Sequence, residues 1–148
     1  MSATAWKFYD QAKKKLANNK ILLDAGVFKM MLASSTSNAE TLTLSVKSQI
    51  TNEIAATGGY VTGGRNLASI TWAAAGSPSS VKWDAADLVF TANGANLTNV
   101  RYAVIRNSVA AASGHLLVWS ALSTAQFTVT TGNTLTVQFA TGGIFTLI

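Results

Sequence analysis

The stretch Gln126-Phe127-Thr128-Val129-Thr130-Thr131-Gly132-Asn133-Thr134-Leu135-Thr136-Val137-Gln138-Phe139-Ala140-Thr141-Gly142-Gly143-Ile144-Phe145-Thr146-Leu147-Ile148 decides the fold class. Phe127 and Val129 alternate with Thr128 and Thr130, and Leu135, Val137 and Phe139 alternate with Thr134, Thr136 and Gln138. A period of two marks a strand with one buried face, because successive side chains leave a pleated chain on opposite sides. Thr131-Gly132-Asn133 and Thr141-Gly142-Gly143 separate the runs with residues that tolerate the positive φ of a tight turn. The pattern predicts that the chain finishes as an antiparallel meander. Its last run carries Phe145, Leu147 and Ile148, and must be buried centrally or sealed against a neighbouring subunit, since a bare apolar edge invites aggregation.

Outward from this stretch, the whole chain has the size of one domain: 148 residues are enough for a real hydrophobic core. There is no cysteine, which removes disulfides, thiolate metal sites and cysteine nucleophiles. Hydrophobic residues make up 49% of the chain and charged residues only 11%, against about 25% in an ordinary soluble domain. Thr, Ser, Asn, Gly and Ala must therefore fill the surface, which suits a β-rich protein partly covered by neighbours. The net charge of +5 is concentrated at one end, with Lys7, Lys13, Lys14, Lys15 and Lys20 all in the first twenty positions. No apolar run reaches the roughly 18 residues of a membrane-spanning helix. The first residues lack a basic segment followed by an apolar core, so synthesis and folding in the cytoplasm are expected.

From Ala5 to Asn18 the sequence reads as a short helix or an extended arm, with Trp6, Tyr9 and Leu16 near one face and Asn18-Asn19 as its stop. Two readings of residues 1–20 stand side by side: a basic arm that lies on an acidic partner, and a solvated helical face whose aromatics pack on the sheet. The second is the simpler. Residues 21–148 then form a single β-sandwich domain. Gly26 to Ala33 looks like a central strand, Ser34 to Asn38 like a loop, and Ala39 to Ile54 is ambiguous although Thr41 to Val46 alternates well. Asn66 to Trp72 alternates like a strand, Val81 to Trp83 and Leu88 to Thr91 are short strands, and Asn93-Gly94 is a turn. Gly76 to Ser80 is a turn with the only proline. Leu97 to Asn107 is expected to pair with Leu116 to Trp119 as a hairpin, with the small residues Val109 to Ser113 in its loop. Eight to ten short strands at even spacing predict an all-β, antiparallel sandwich or jelly-roll-like domain with a short N-terminal helix or arm.

Motifs that carry chemistry are weak. Gly58-Gly59-Tyr60-Val61-Thr62-Gly63-Gly64-Arg65 lacks the Gly-Lys-Ser/Thr that opens a helix in a phosphate-binding loop, and it leads into a strand pattern. It reads as a flexible connection. Asp84 and Asp87 have no other ligands or bases near them in sequence and read as turn caps. His115 is the only histidine and sits in no nucleophile motif, so it reads as an ordinary strand-edge residue. Trp72, Trp83 and Trp119 stack on sugars if exposed, but at strand positions they read as core. These observations predict no enzyme, no cofactor and no metal.

The phrases Gly59-Tyr60-Val61-Thr62-Gly63-Gly64, Val81-Lys82-Trp83-Asp84-Ala85-Ala86-Asp87, Arg101-Tyr102-Ala103-Val104-Ile105 and Gly132 to Leu147, with Trp6-Lys7-Phe8-Tyr9 and Phe28-Lys29-Met30 near the start, resemble a family of small virion proteins of tailed bacteriophages. The resemblance covers nearly the whole chain, in structural phrases without chemistry. It implies a virion component made in the bacterial cytoplasm, foremost a capsid decoration, or cement, protein bound in many copies outside the assembled shell. The alternatives are a tail, neck or fibre component of the same virion, and a carbohydrate- or receptor-binding sandwich. Expected partners are the major capsid protein or other virion proteins and further copies of the chain, as a trimer or dimer, with no membrane. Nucleic acid rests only on the Lys13-Lys14-Lys15 run. Should the N-terminal segment dock on a shell, Trp6, Lys7, Tyr9, Lys13, Lys14 and Lys15 are the expected contact residues.

Overall fold

The computed structural model describes residues 4–76, 79–108 and 114–148. Short runs of β-branched, aromatic and Leu residues between turn signals become strands, and the chain runs β1 (Lys7–Phe8), α1 (Asp10–Ala17), β2 (Phe28–Ala33), β3 (Arg65–Asn66), β4 (Thr71–Ala74), β5 (Val81–Asp84), β6 (Leu88–Thr91), β7 (Leu97–Val100), β8 (Tyr102–Asn107), β9 (Leu116–Ala121), β10 (Phe127–Val129), β11 (Thr134–Val137) and β12 (Phe145–Leu147). The described ladders are antiparallel. The fold is thus the all-β, sandwich-like one expected, with one short helix near its N-terminus. The expected turn residues Ser77 and Pro78 and the loop residues Val109 to Ser113 lie outside the described residues.

The end of the chain corrects the expected meander. β10 pairs with β7, β11 with β6 and β12 with β5, so no two of these last three strands are neighbours. The turn signals are real, since Asn133 N–H donates to Thr130 O at 3.0 Å and Gly143 N–H to Ala140 O at 2.8 Å. The first turn, however, docks on the turn between β6 and β7: Gly132 N–H donates to Ala92 O, Ala92 N–H to Asn133 O, and Thr131 N–H to Asn96 Oδ1. Together with β8·β9, the pairs β7·β10, β6·β11 and β5·β12 nest inside one another like a long hairpin rolled on itself. That nesting is jelly-roll-like connectivity. A period of two reveals a buried face and says nothing about which strand lies alongside.

Three other runs change in the structure. Leu97 to Asn107 is two strands, because Asn99 takes a left-handed φ of 62° and Arg101 N–H donates to Ala33 O, carrying the chain from one sheet to another. Asn66 to Trp72 is likewise broken at Ser69, whose φ is 52°, while Ala68 O accepts Ala86 N–H. Thr41 to Val46 alternates but makes turns, with Leu44 N–H donating to Thr41 O, while Leu42 O accepts Asp10 N–H of α1 and Ser45 O accepts Leu116 N–H of β9. The hairpin expected of Leu97–Asn107 with Leu116–Trp119 is present as β8·β9, and the central strand expected in Gly26–Ala33 is β2.

The main sheet has the order β1-β9-β8-β2-β3, and every residue of β8 is buried, as are five of six in β9. Both faces are therefore covered, which explains runs without alternation such as Leu116-Leu117-Val118-Trp119. One face packs on the sheet β12-β5-β4, where the Phe8 and Phe145 ring centroids are 4.5 Å apart and those of Phe28 and Trp83 are 4.9 Å apart. The other is covered by residues of the 34–64 excursion and by the N-terminal segment. Tyr9 sits here, wholly buried, its hydroxyl donating to Ala39 O at 2.5 Å. Tyr60 O–H accepts Leu32 N–H at 3.0 Å. Fully burying each large apolar side chain contributes about 1.5–3 kcal/mol.

Residues 4–17 consequently belong to the same body as the sandwich. β1 pairs with β9, and α1 buries Ala12 beneath it before Asn19, at φ 55°, ends the helix. Of the two readings of this segment, the packed one describes it and a projecting arm does not. Truncating Tyr9→Ala should cost about 3–5 kcal/mol in urea unfolding, the range for a buried aromatic. A change within about 0.5 kcal/mol, typical of a surface site, would mean that the segment lies free of the core.

Candidate functional site

The six residues expected to contact a partner do not share one role. Trp6 is half-buried with its ring tilted on Phe139 at 5.8 Å, and Tyr9 is out of reach of any partner. Lys7 is exposed on β1, with its ammonium 5.1 Å from the Trp119 ring centroid, a cation–π contact. Lys13 and Lys14 follow one another on the exposed side of α1, and Lys20 is exposed just beyond it. Among the described residues none of Lys7, Lys13, Lys14 and Lys20 forms an ion pair; the two pairs found are Lys47–Glu53 at 3.6 Å and Lys82–Asp84 at 3.4 Å. A short helix fixed on the body thus carries uncompensated positive charge outward.

Lys15 is different. Its ammonium donates to Ser45 O at 3.2 Å and Ser45 Oγ at 2.6 Å, and lies 2.9 Å from His115 Nδ1. A lysine beside a serine hydroxyl and an imidazole invites the idea of an activated nucleophile. The donor count argues otherwise, because an ammonium has three N–H groups and three acceptors take them. Nδ1 must then be the acceptor, so the imidazole is neutral with its proton on Nε2. The cluster is a clasp tying α1 to the segment before the Lys47–Gln49 turn and to the start of β9, where Leu116 N–H donates to Ser45 O and Lys47 N–H to Gly114 O. Desolvation lowers the pKa of Lys15, and desolvation followed by the charges of Lys15 and Lys20 lowers that of His115.

The glycine-rich loop is also occupied by the protein itself. Glu53 Oε1 accepts from Tyr60 O–H at 2.7 Å and from Gly63 N–H at 2.5 Å, while Gly63 O accepts from Arg106 Nε at 3.2 Å and Nη2 at 3.0 Å. Arg106 is nearly fully buried on β8, and desolvation lowers its pKa against the opposing pull of Glu53. The Gly63 amide that a phosphate cradle would offer is spent on a carboxylate. Gly64, at φ 84°, lies so close to the Met30 carbonyl that a Cβ there would collide with backbone.

Asp84 accepts its neighbour Ala85 N–H at 2.9 Å and pairs with Lys82, and Asp87 accepts Phe139 N–H at 3.0 Å, so one caps a turn and the other pins the end of β11. Trp83 and Trp119 are buried, and Trp72 is half-buried edge-on to Phe145. Two of the three indoles considered for sugar stacking are thus closed to a ligand. Among the described residues, no three of His, Asp or Glu gather as a metal site, and no helix is long and apolar enough to cross a membrane. Compared with known protein families, curated proteins and solved structures, the chain matches none. The clasp and the Arg106–Glu53 lock were missed in the sequence, where Lys15, Ser45, Glu53, Arg106 and His115 carry no spacing signal.

Two outcomes follow from these contacts. Gly64→Ala should destabilise the fold by well over about 1 kcal/mol in thermal unfolding, since both the positive φ and the Met30 carbonyl oppose a side chain. For the clasp, the folded pKa of His115 lies below its ordinary value of 6.5, so the unfolded state takes up the proton first. The stability contributed by neutral His115 is complete above pH 6.5 and declines as pH falls through that value. Urea midpoints between pH 7.5 and 5 should fall for the wild type and fall less for His115→Gln; parallel curves would remove the clasp.

Proposed function

We propose that the protein is a bacteriophage virion structural protein, foremost a capsid decoration protein that binds the outside of the assembled shell in many copies. The observation that carries this reading is the rigid basic face: Lys13 and Lys14 on α1, with Lys20 beyond it, are exposed and form no ion pair, on a segment fixed to the sandwich. A shell-binding protein needs a fixed surface rather than a searching tail, because ordering a flexible segment on binding would subtract from affinity. Charge opposite to that of an acidic shell also steers association. The 11% charged composition and the absence of cysteine suit a particle component that works beside neighbours and independently of redox conditions.

The major capsid protein is the partner this reading names, with virion as location and several copies of the chain on each particle. A tail, neck or fibre component of the same virion uses the same surface on another partner. The carbohydrate reading loses support from the burial of Trp83 and Trp119. Nucleic acid loses support from Lys15, which is committed to Ser45 and His115.

Cosedimentation with undecorated capsids tests the proposal. Wild-type protein should pellet with the shells, and the triple change of Lys13, Lys14 and Lys20 to Glu should weaken binding by about tenfold or more, roughly 1.4 kcal/mol, with an unchanged melting curve. No pelleting of the wild type would overturn the capsid reading, and cryo-EM density at the tail would replace it with the alternative.

A further inference from the structure

We propose that β12 is a homotypic assembly strand: it pairs antiparallel with β12 of a second copy about a two-fold axis through Thr146. This holds whether or not the protein sits on a particle, since it rests on the edge of one sheet.

In the order β12-β5-β4, β12 has β5 on one side and, among the described residues, no strand on the other. Ile144 N–H donates inward to Trp83 O at 2.8 Å. Trp83 O faces β12 and Trp83 pairs with Phe145, so by the alternation of a strand the backbone groups of Phe145 and Leu147 face β5 while those of Thr146 point outward, where they present a donor and an acceptor to a further strand. A groove runs between Ala5–Trp6 and Ile144–Thr146, and Thr146 and Leu147 are exposed. Charged residues and proline along a strand protect an edge. Residues 138–148 contain no charged residue and no proline.

The side chains identify the occupant as a second copy. Cross-strand register places Trp72, Trp83 and Phe145 in one row and Ala74, Val81 and Leu147 in another, two residues along and on the same face. The first row is covered by the main sheet, with Phe8 on Phe145 and Phe28 on Trp83. The second overhangs it: Val81 is 39% exposed and Leu147 45%. Pairing about Thr146 sets Phe145 of each copy opposite Leu147 of the other, so the exposed end of each row continues into the aromatic end of its mate. The strand is thereby complementary to itself, as a two-fold interface requires. Charge permits the approach, because Lys82, opposite Thr146, is held by Asp84 and the Thr141 carbonyl.

A single introduced cysteine tests this cleanly, as the chain has none. Thr146 of each copy would face its equivalent in a hydrogen-bonded pair with Cα atoms about 5.5 Å apart, within disulfide range. On mild oxidation Thr146→Cys should become a covalent dimer, whereas Val61→Cys, at a 64% exposed position outside this sheet, should stay monomeric. Light scattering after size exclusion should show the unmodified protein as a concentration-dependent dimer. Leu147→Lys should shift that equilibrium by about tenfold or more towards monomer with an unchanged circular-dichroism melt. Monomeric wild type at every concentration, a Thr146→Cys chain that does not crosslink, or equal crosslinking of both cysteine variants would overturn the proposal.

Discussion

The burial of β8 and β9 on both faces is the constraint from which the rest of the structure follows. A strand pair with Val104, Ile105, Leu116, Leu117 and Val118 all inaccessible has no solvent side, so two separate layers must be supplied. The sheet β12-β5-β4 supplies one through Phe145 and Trp83. The long excursion between β2 and β3, together with the N-terminal segment, supplies the other. Removing either layer would expose a continuous apolar surface, which is why a segment rich in lysine is anchored by a fully buried tyrosine.

Covering a sheet with irregular chain leaves backbone groups to satisfy, and the polar residues of the interior do this. Tyr9 serves Ala39, Tyr60 serves Leu32, and Arg106 serves Gly63. Glu53 holds the glycine-rich loop by both Tyr60 and the Gly63 amide. Such groups are costly when unpaired and modestly favourable when paired, so they select one arrangement of the excursion rather than add much to stability. The same logic assigns Lys15 to the body and leaves Lys13, Lys14 and Lys20 to the outside.

Fold class was legible in the sequence because it depends on periodicity: the threonine alternation around Val129 and Val137 and the uninterrupted run at Leu116 each announce how many faces are buried. Pairing was not legible. The turn at Gly132 forms as its residues predict, yet Asn96 and Ala92 draw it onto another turn, a contact between positions some 35 apart in sequence. The breaks at Ser69 and Asn99 escaped because both residues adopt a left-handed φ that an alternating pattern hides. Of the expected contact residues, Lys13 and Lys14 were readable as a charge run; that Lys15 turns inward depends on Ser45 and His115, which only the fold brings near.

The basic face is held rigid by the core, and native-state hydrogen exchange reads that rigidity amide by amide. The amides of Tyr9 and Asp10 donate to Leu117 O at 3.2 Å and Leu42 O at 3.0 Å. They should exchange slowly, together with the amides of β8 and β9, in one cooperative unit. Rapid exchange at Tyr9 and Asp10 beside a protected main sheet would show that the N-terminal segment moves independently and that the core does not fix the basic face.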